Sequence, residues 1–268
     1  MIQNSRRATA IVRRGVATLA CVALIAGWAM LSPPTSLEKG TFGPFERALN
    51  TTQYGYQILP DPTELAPTQY VERFEVRSGD CGTNGAWSDC SNDRERSELS
   101  QTIKELGEGD TAWYGWSVYF PPDFPDISPT KTTIAQFHQR NEDGRIAKPV
   151  WMFQHSNGAL YLDDQTTGRS TRRIPLIPAS DLRANWHNIK VKVRWAKDES
   201  GRLNIWINGA QVFEYQGPTM NAKKVYFRYG LYRSFISRYK TAENSDIVPT
   251  QIALFANVNR AKTRRGLN

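Results

Sequence analysis

Three short strings hold the side chains from which an acid–base site could be assembled: Arg94-Glu95-Arg96-Ser97-Glu98-Leu99-Ser100, Gln136-Phe137-His138, and Tyr226-Phe227-Arg228-Tyr229-Gly230-Leu231-Tyr232. Each lies in a segment that alternates between apolar and polar or aromatic residues, which predicts a β-strand with every second side chain on one face. The period of two groups Arg94, Arg96, Glu98 and Ser100, pairs Gln136 with His138, and pairs Arg228 with Tyr232. Guanidinium, amide, imidazole and phenol together can hold a carboxylate, take a proton from carbon and protonate a departing oxygen.

The same strings resemble the motifs of the β-jelly-roll polysaccharide lyases. This group includes the alginate lyases of the R-x-E-L, Q-I-H and Y-F-K-A-G-V-Y type, the glucuronan lyases and heparin lyase I. Arg96-Ser97-Glu98-Leu99 is similar to the first motif, Gln136-Phe137-His138 to the second and Tyr226 to Tyr232 to the third, in family order, over a span from about Phe42 to Arg260. The resemblance implies an all-β, antiparallel jelly-roll sandwich of concanavalin-like form with a concave substrate groove. It also implies cleavage of a uronate-containing polysaccharide by β-elimination, leaving 4,5-unsaturated ends, with no cofactor and no metal.

In such a reaction the C5 proton is weakly acidic while the neighbouring carboxylate is negative, so that carboxylate must first be neutralised or hydrogen-bonded. Gln136 and Arg96 are expected to do this, with Glu98 orienting Arg96 and with Arg94 and Arg228 as further substrate contacts. The base is neutral His138 or Tyr232; the family precedent makes Tyr232 the acid. Two positions depart from the alginate lyases, Arg228 where Lys is usual and Ser100 where a second Arg is usual. The polymer stays open between glucuronan, alginate, a heparin-like glycosaminoglycan and a glucuronate-bearing exopolysaccharide.

Other residues read as structural. Tyr226, Tyr229, His155, His187 and most of the eight Trp are expected to pack, with Trp113 and Trp116 as either core or sugar subsite. A glycoside hydrolase on the same sandwich would need two carboxylates ~5–5.5 Å apart if retaining. No E-x-D-x-E string is present, and Glu95 and Glu98 fall on opposite strand faces. A lectin-like module would not need Gln136, His138 and Tyr232 together.

Positioning these groups requires one large β-domain, and 268 residues allow it. Residues 1–29, with Arg6, Arg7, Arg13 and Arg14 ahead of an apolar run from Val16 to Leu31, read as an export signal, with an uncleaved membrane anchor as the alternative. Residues 30–40 follow as linker, 41–262 as the domain and 263–268 as a basic solvated tail. Without the leader the chain carries 30 basic and 26 acidic residues, a mildly cationic balance that suits an acidic polymer. The mature cysteines, Cys81 and Cys90, bracket a turn-rich stretch and read as a disulfide bracing the approach to Arg94, in a secreted or periplasmic protein. Nothing points to nucleic acid, and a monomer is expected.

About a dozen strands are predicted: Tyr54–Leu59, Tyr70–Arg77, Arg94–Ile103, Ala112–Phe120, Thr132–Gln139, Val150–His155, Ala159–Asp163, Trp186–Trp195, Leu203–Ile207, Gln211–Tyr215, Val225–Arg233 and Thr250–Val258. One short helix is placed near Ala179–Ala184. Asn208-Gly209 predicts a tight type I′ hairpin. In Trp186–Trp195, Ile189, Val191 and Val193 must face the core, leaving Lys190, Lys192 and Arg194 on the other side. That basic row is either an ordinary wet face or part of a polyanion groove, in which Lys192 and Arg194 would bind substrate.

Overall fold

The computed structural model describes residues 34–37, 39–167 and 171–267, so the leader and its export or anchor reading lie outside the described residues. The strands in chain order are β1 (Phe45–Arg47), β2 (Tyr56–Pro60), β3 (Tyr70–Val76), β4 (Arg94–Gln101), β5 (Leu106–Gly107), β6 (Thr111–Tyr119), β7 (Lys131–Arg140), β8 (Ile146–Ser156), β9 (Ala159–Asp164), β10 (Arg172–Ile177), β11 (Trp186–Arg194), β12 (Arg202–Ile207), β13 (Ala210–Gln216), β14 (Lys224–Ser234) and β15 (Gln251–Ala261). They form two antiparallel sheets. One runs β1-β4-β14-β7-β8-β9-β10, with β5 also paired to β14; the other runs β13-β12-β11-β6-β15-β3-β2. No helix among the described residues is long and apolar enough to cross a membrane.

Alternation along each strand builds the sandwich. Phe137, Trp151, Phe153, Phe227, Tyr229 and Leu231 of the first sheet meet Phe74, Tyr114, Trp116, Ile189, Val191, Val193 and Phe255 of the second in one buried cluster. Burial at ~25 cal/mol per Å² of apolar surface makes this cluster the main stabilising term. The predicted hairpin forms, with Asn208 at φ 50° and Gly209 at φ 89°, the two positive values that a type I′ turn requires.

Four features were not legible. Strands β1 and β5 are too short to show a period, and β10 contains Pro175, which a strand tolerates at a sheet edge. Helix α2 (Ile236–Glu243), following α1 (Ala179–Leu182), buries no side chain and so shows no apolar stripe. The described residues of the expected linker and tail join the domain. Lys39 Nζ lies 2.8 Å from Glu72 at β3, and Leu267 is buried where its side chain packs on Gly115 of β6.

His155 and His187 sit in structural settings. His187 shares a 2.9 Å hydrogen bond with the Leu182 carbonyl. His155 is fully buried beside Phe120 and Phe124, and neither ring nitrogen has a partner among the described residues. Burial drives its pKa down to about 4, against the pull of Asp126 and with a further push from Arg183. The unfolded chain, titrating near ~6.5, therefore takes up a proton before the folded one does, and stability falls as pH drops from there toward 4. His155→Phe is expected to remove up to about 3 kcal/mol of that pH dependence. Urea unfolding of both proteins at pH 7 and pH 4.5 checks this; parallel losses would refute it.

Candidate active site

Strands β4, β14 and β7 are neighbours, with β14 in the middle. On one side of β14, Arg228 stands opposite Ser100, Gly230 opposite Glu98, Tyr232 opposite Arg96 and Ser234 opposite Arg94. On the other side Tyr226 stands opposite His138 and Arg228 opposite Gln136. Because Val225, Phe227, Tyr229 and Leu231 point into the core, the intervening residues of β14 point outward. Arg96, Gln136, His138 and Tyr232 thus share the outer face of the first sheet, as do Arg94, Glu98 and Arg228.

Between Tyr229 and Tyr232 the β7 register shifts, so that Gly230 and Leu231 face Ile134 alone. Gly230 has φ 130°, and a Cβ there would lie 2.8 Å from the Phe74 ring, so only glycine fits this bulge.

Glu98 is the hub. It accepts from Arg96 Nη1 at 3.0 Å, from Gln136 Nε2 and from Arg228 Nη1 at 3.4 Å. The rest of the Arg96 fork is taken by Asp89, with Nε at 2.5 Å and Nη2 at 2.6 Å. Arg96 also lies over the Tyr232 ring, 4.3 Å from its centre. The Tyr232 oxygen accepts from Arg94 Nε at 3.1 Å. Arg94 is fixed in turn by the Asn92 and Asp93 carbonyls and by the Phe235 ring, 3.9 Å beneath it.

A family profile described as polysaccharide lyase matches residues 38–258. The chain belongs to the polysaccharide lyase family. It is a carbon–oxygen lyase acting on polysaccharides. No curated protein matches its sequence. Among solved structures the lyase is similar to an endo-β-1,4-glucuronan lyase from the fungus Trichoderma reesei, at 17% identity and TM-score 0.59 over 83% of this chain and 96% of that one. It is also similar to a family 7 alginate lyase, A1-II′, solved with substrate, at 15% identity and TM-score 0.58 over 81% and 91% of the two chains. A GH131 β-glucanase catalytic domain from Podospora anserina matches at 13% identity and TM-score 0.55 over 82% and 85%. At such identities the likeness shows the fold alone, which lyases and a hydrolase share.

The geometry revises several expectations for the lyase. Arg96 is almost wholly buried and every nitrogen of its fork is engaged, so it is not free to receive a substrate carboxylate as expected. Burial alone would lower its pKa, but Asp89 and Glu98 outweigh this and raise it. Arg228 is better placed: among the described residues its Nε is buried without a partner and its Nη2 reaches only Tyr226 Oη, at 3.3 Å. The Gln136 amide keeps a second N–H beyond the one given to Glu98. Ser100 and Arg228, the two departures from the alginate pattern, are direct cross-strand partners, so the small side chain stands beside the large one.

Lys192 and Arg194 are not in this site. They lie on β11 in the other sheet and point away from the core, on the opposite surface of the molecule; a local pattern could not tell which sheet β11 would join. Tyr226, expected to pack, is buried on the site face, with its ring centre 5.3 Å from that of His138. Tyr229 and Trp116 are core. Asp89 was missed altogether. Its one signal is its place next to Cys90, because the Cys81–Cys90 disulfide closes the loop that carries this carboxylate to Arg96.

Proposed function

We propose that the lyase cleaves a uronate-containing acidic polysaccharide by β-elimination, with His138 as base and Tyr232 as acid. The observation that carries this reading is the gathering of His138, Gln136, Arg228 and Tyr232 on one sheet face. Arg94, Arg96 and Arg228 outnumber Asp89 and Glu98 there, so the cluster attracts a carboxylate. Arg228 and the free Gln136 N–H would hold the uronate carboxylate and draw charge from C5 as its proton leaves.

Burial, with help from Arg228, pushes the His138 imidazole well below its ordinary pKa, so it is neutral and able to accept a proton at pH 7. Gln139 N–H donates to His138 Nδ1 at 3.2 Å, so the neutral ring carries its own proton on Nε2 and must take the other tautomer to accept a substrate proton there. Because the Tyr232 oxygen accepts from Arg94, its own O–H is free to donate to the glycosidic oxygen. The disulfide supports work in an oxidising, exported setting. A hydrolase reading lacks its acids. Glu98 is buried under three donors, and Asp163 on the same face is held by Lys131 and Arg173.

The test is incubation with polyglucuronate, alginate and a heparin-like polymer while following ultraviolet absorbance of the unsaturated product. On the cleaved polymer, kcat/KM is expected to hold as pH falls to about 6.5 and to drop only below it, since His138 protonates beneath the ordinary imidazole range. Products without the C4–C5 double bond would place the activity with the hydrolases. An acid limb at or above the ordinary imidazole value would remove His138 as base.

A further inference from the structure

The outer face of the second sheet carries a group of residues that the active face does not use. Trp113 of β6 and Trp206 of β12 reach toward each other over β11 and stack, ring centres 5.1 Å apart and planes at 27°. Lys192 Nζ lies 5.8 Å from the Trp113 ring centre, and the Arg264 guanidinium 5.5 Å from that of Trp206. Arg194 follows on the same strand face, its Nη1 given to the Gly109 carbonyl. Arg264 is held here because the C-terminal turn folds back, with Leu267 on Gly115 and its carbonyl receiving Asn259 Nδ2 at 3.2 Å. Among the described residues none of Lys192, Arg194 and Arg264 is in an ion pair. Carboxylates in the neighbourhood include Asp198, which feels Arg194, and Glu214, which stands beyond Asn204 on β13 and accepts from Gln211.

We infer that this surface is a second, non-catalytic binding site for an acidic polysaccharide chain, on the face opposite the active site. Half-buried indole faces offer a sugar ring a stacking surface, and unpaired cations beside them match the carboxylates of a uronate polymer. Neutral polysaccharide would use only the first of these features and an inorganic anion only the second. Holding the polymer there raises the local concentration of cleavable chain without entering the chemistry. The inference rests on the reading that the substrate is an acidic polysaccharide.

The test uses affinity electrophoresis in gels containing polyglucuronate, alginate, neutral β-glucan or single-stranded DNA, run with the Tyr232→Phe protein so that the polymer is not cut. Lys192→Glu with Arg194→Glu, both exposed, is expected to weaken retardation by an acidic polysaccharide ~5-fold or more at low salt, and Trp206→Ala to do the same. In the active protein, the paired Glu substitutions are expected to leave turnover of short unsaturated oligouronates unchanged while slowing attack on long polymer. Retardation equal to the parent's in the paired variant would overturn the inference, as would retardation by DNA and not by any polyuronate. Loss of retardation in a protein whose active form cuts none of the polymers would sustain this site and remove the proposed reaction, so the two readings fail separately.

Discussion

Tyr232→Phe is expected to lower kcat by ~10²–10⁴-fold, the usual contribution of a general acid–base group, while leaving the fold intact. The substitution removes only the oxygen. The ring stays over the Arg96 guanidinium, 4.3 Å away, so the packing of β14 on β4 is retained. What is lost is an O–H whose direction is set by Arg94, which donates to the oxygen from within the sheet and leaves the proton to face substrate. In the proposed reaction, as that proton moves to the departing sugar oxygen, the Arg94 cation meets the charge left behind, an interaction stronger in the transition state than in the ground state. The effect should therefore fall on kcat more than on KM. Initial rates of unsaturated-product formation, with thermal melts of both proteins, check it. A variant within tenfold of the parent would mean that another group protonates the leaving oxygen.

Asp89→Ala is expected to cost about 3–5 kcal/mol of stability, a magnitude typical of breaking a buried pair by removing one partner. Arg96 would remain buried with two of its three donor nitrogens unsatisfied, and Glu98 would be left to balance both Arg96 and Arg228. The same change should reduce activity, because Arg96 supports the Tyr232 ring and Glu98 orients Gln136. Reduction of Cys81–Cys90 should act in the same direction but less, roughly 2–3 kcal/mol for so short a loop, since the carboxylate remains tied to Arg96. Chemical denaturation of the parent, the variant and the reduced parent ranks the three. A loss below about 1 kcal/mol for Asp89→Ala would show that Arg96 tolerates solvent in place of the carboxylate.

The period-two pattern by itself determined which side chains of β4, β7 and β14 share a face, and it separated Glu98 from Glu95, which pairs inward with Arg233. The Asn208-Gly209 turn and the Cys81–Cys90 closure were legible for the same reason: each is a local requirement of backbone or covalent geometry. Tertiary structure decided the rest. The sheet that receives β11, and with it the surface on which Lys192 and Arg194 stand, depends on pairing with β6 and β12 at the far side of the sandwich. The use of the Arg96 fork depends on Asp89 arriving from a loop, and the assignment of the carboxylate contact to Arg228 follows from that occupancy. Alternation is a property of a single strand, whereas these outcomes come from residues as much as 130 positions apart, such as Glu98 and Arg228, competing for the same few buried charges.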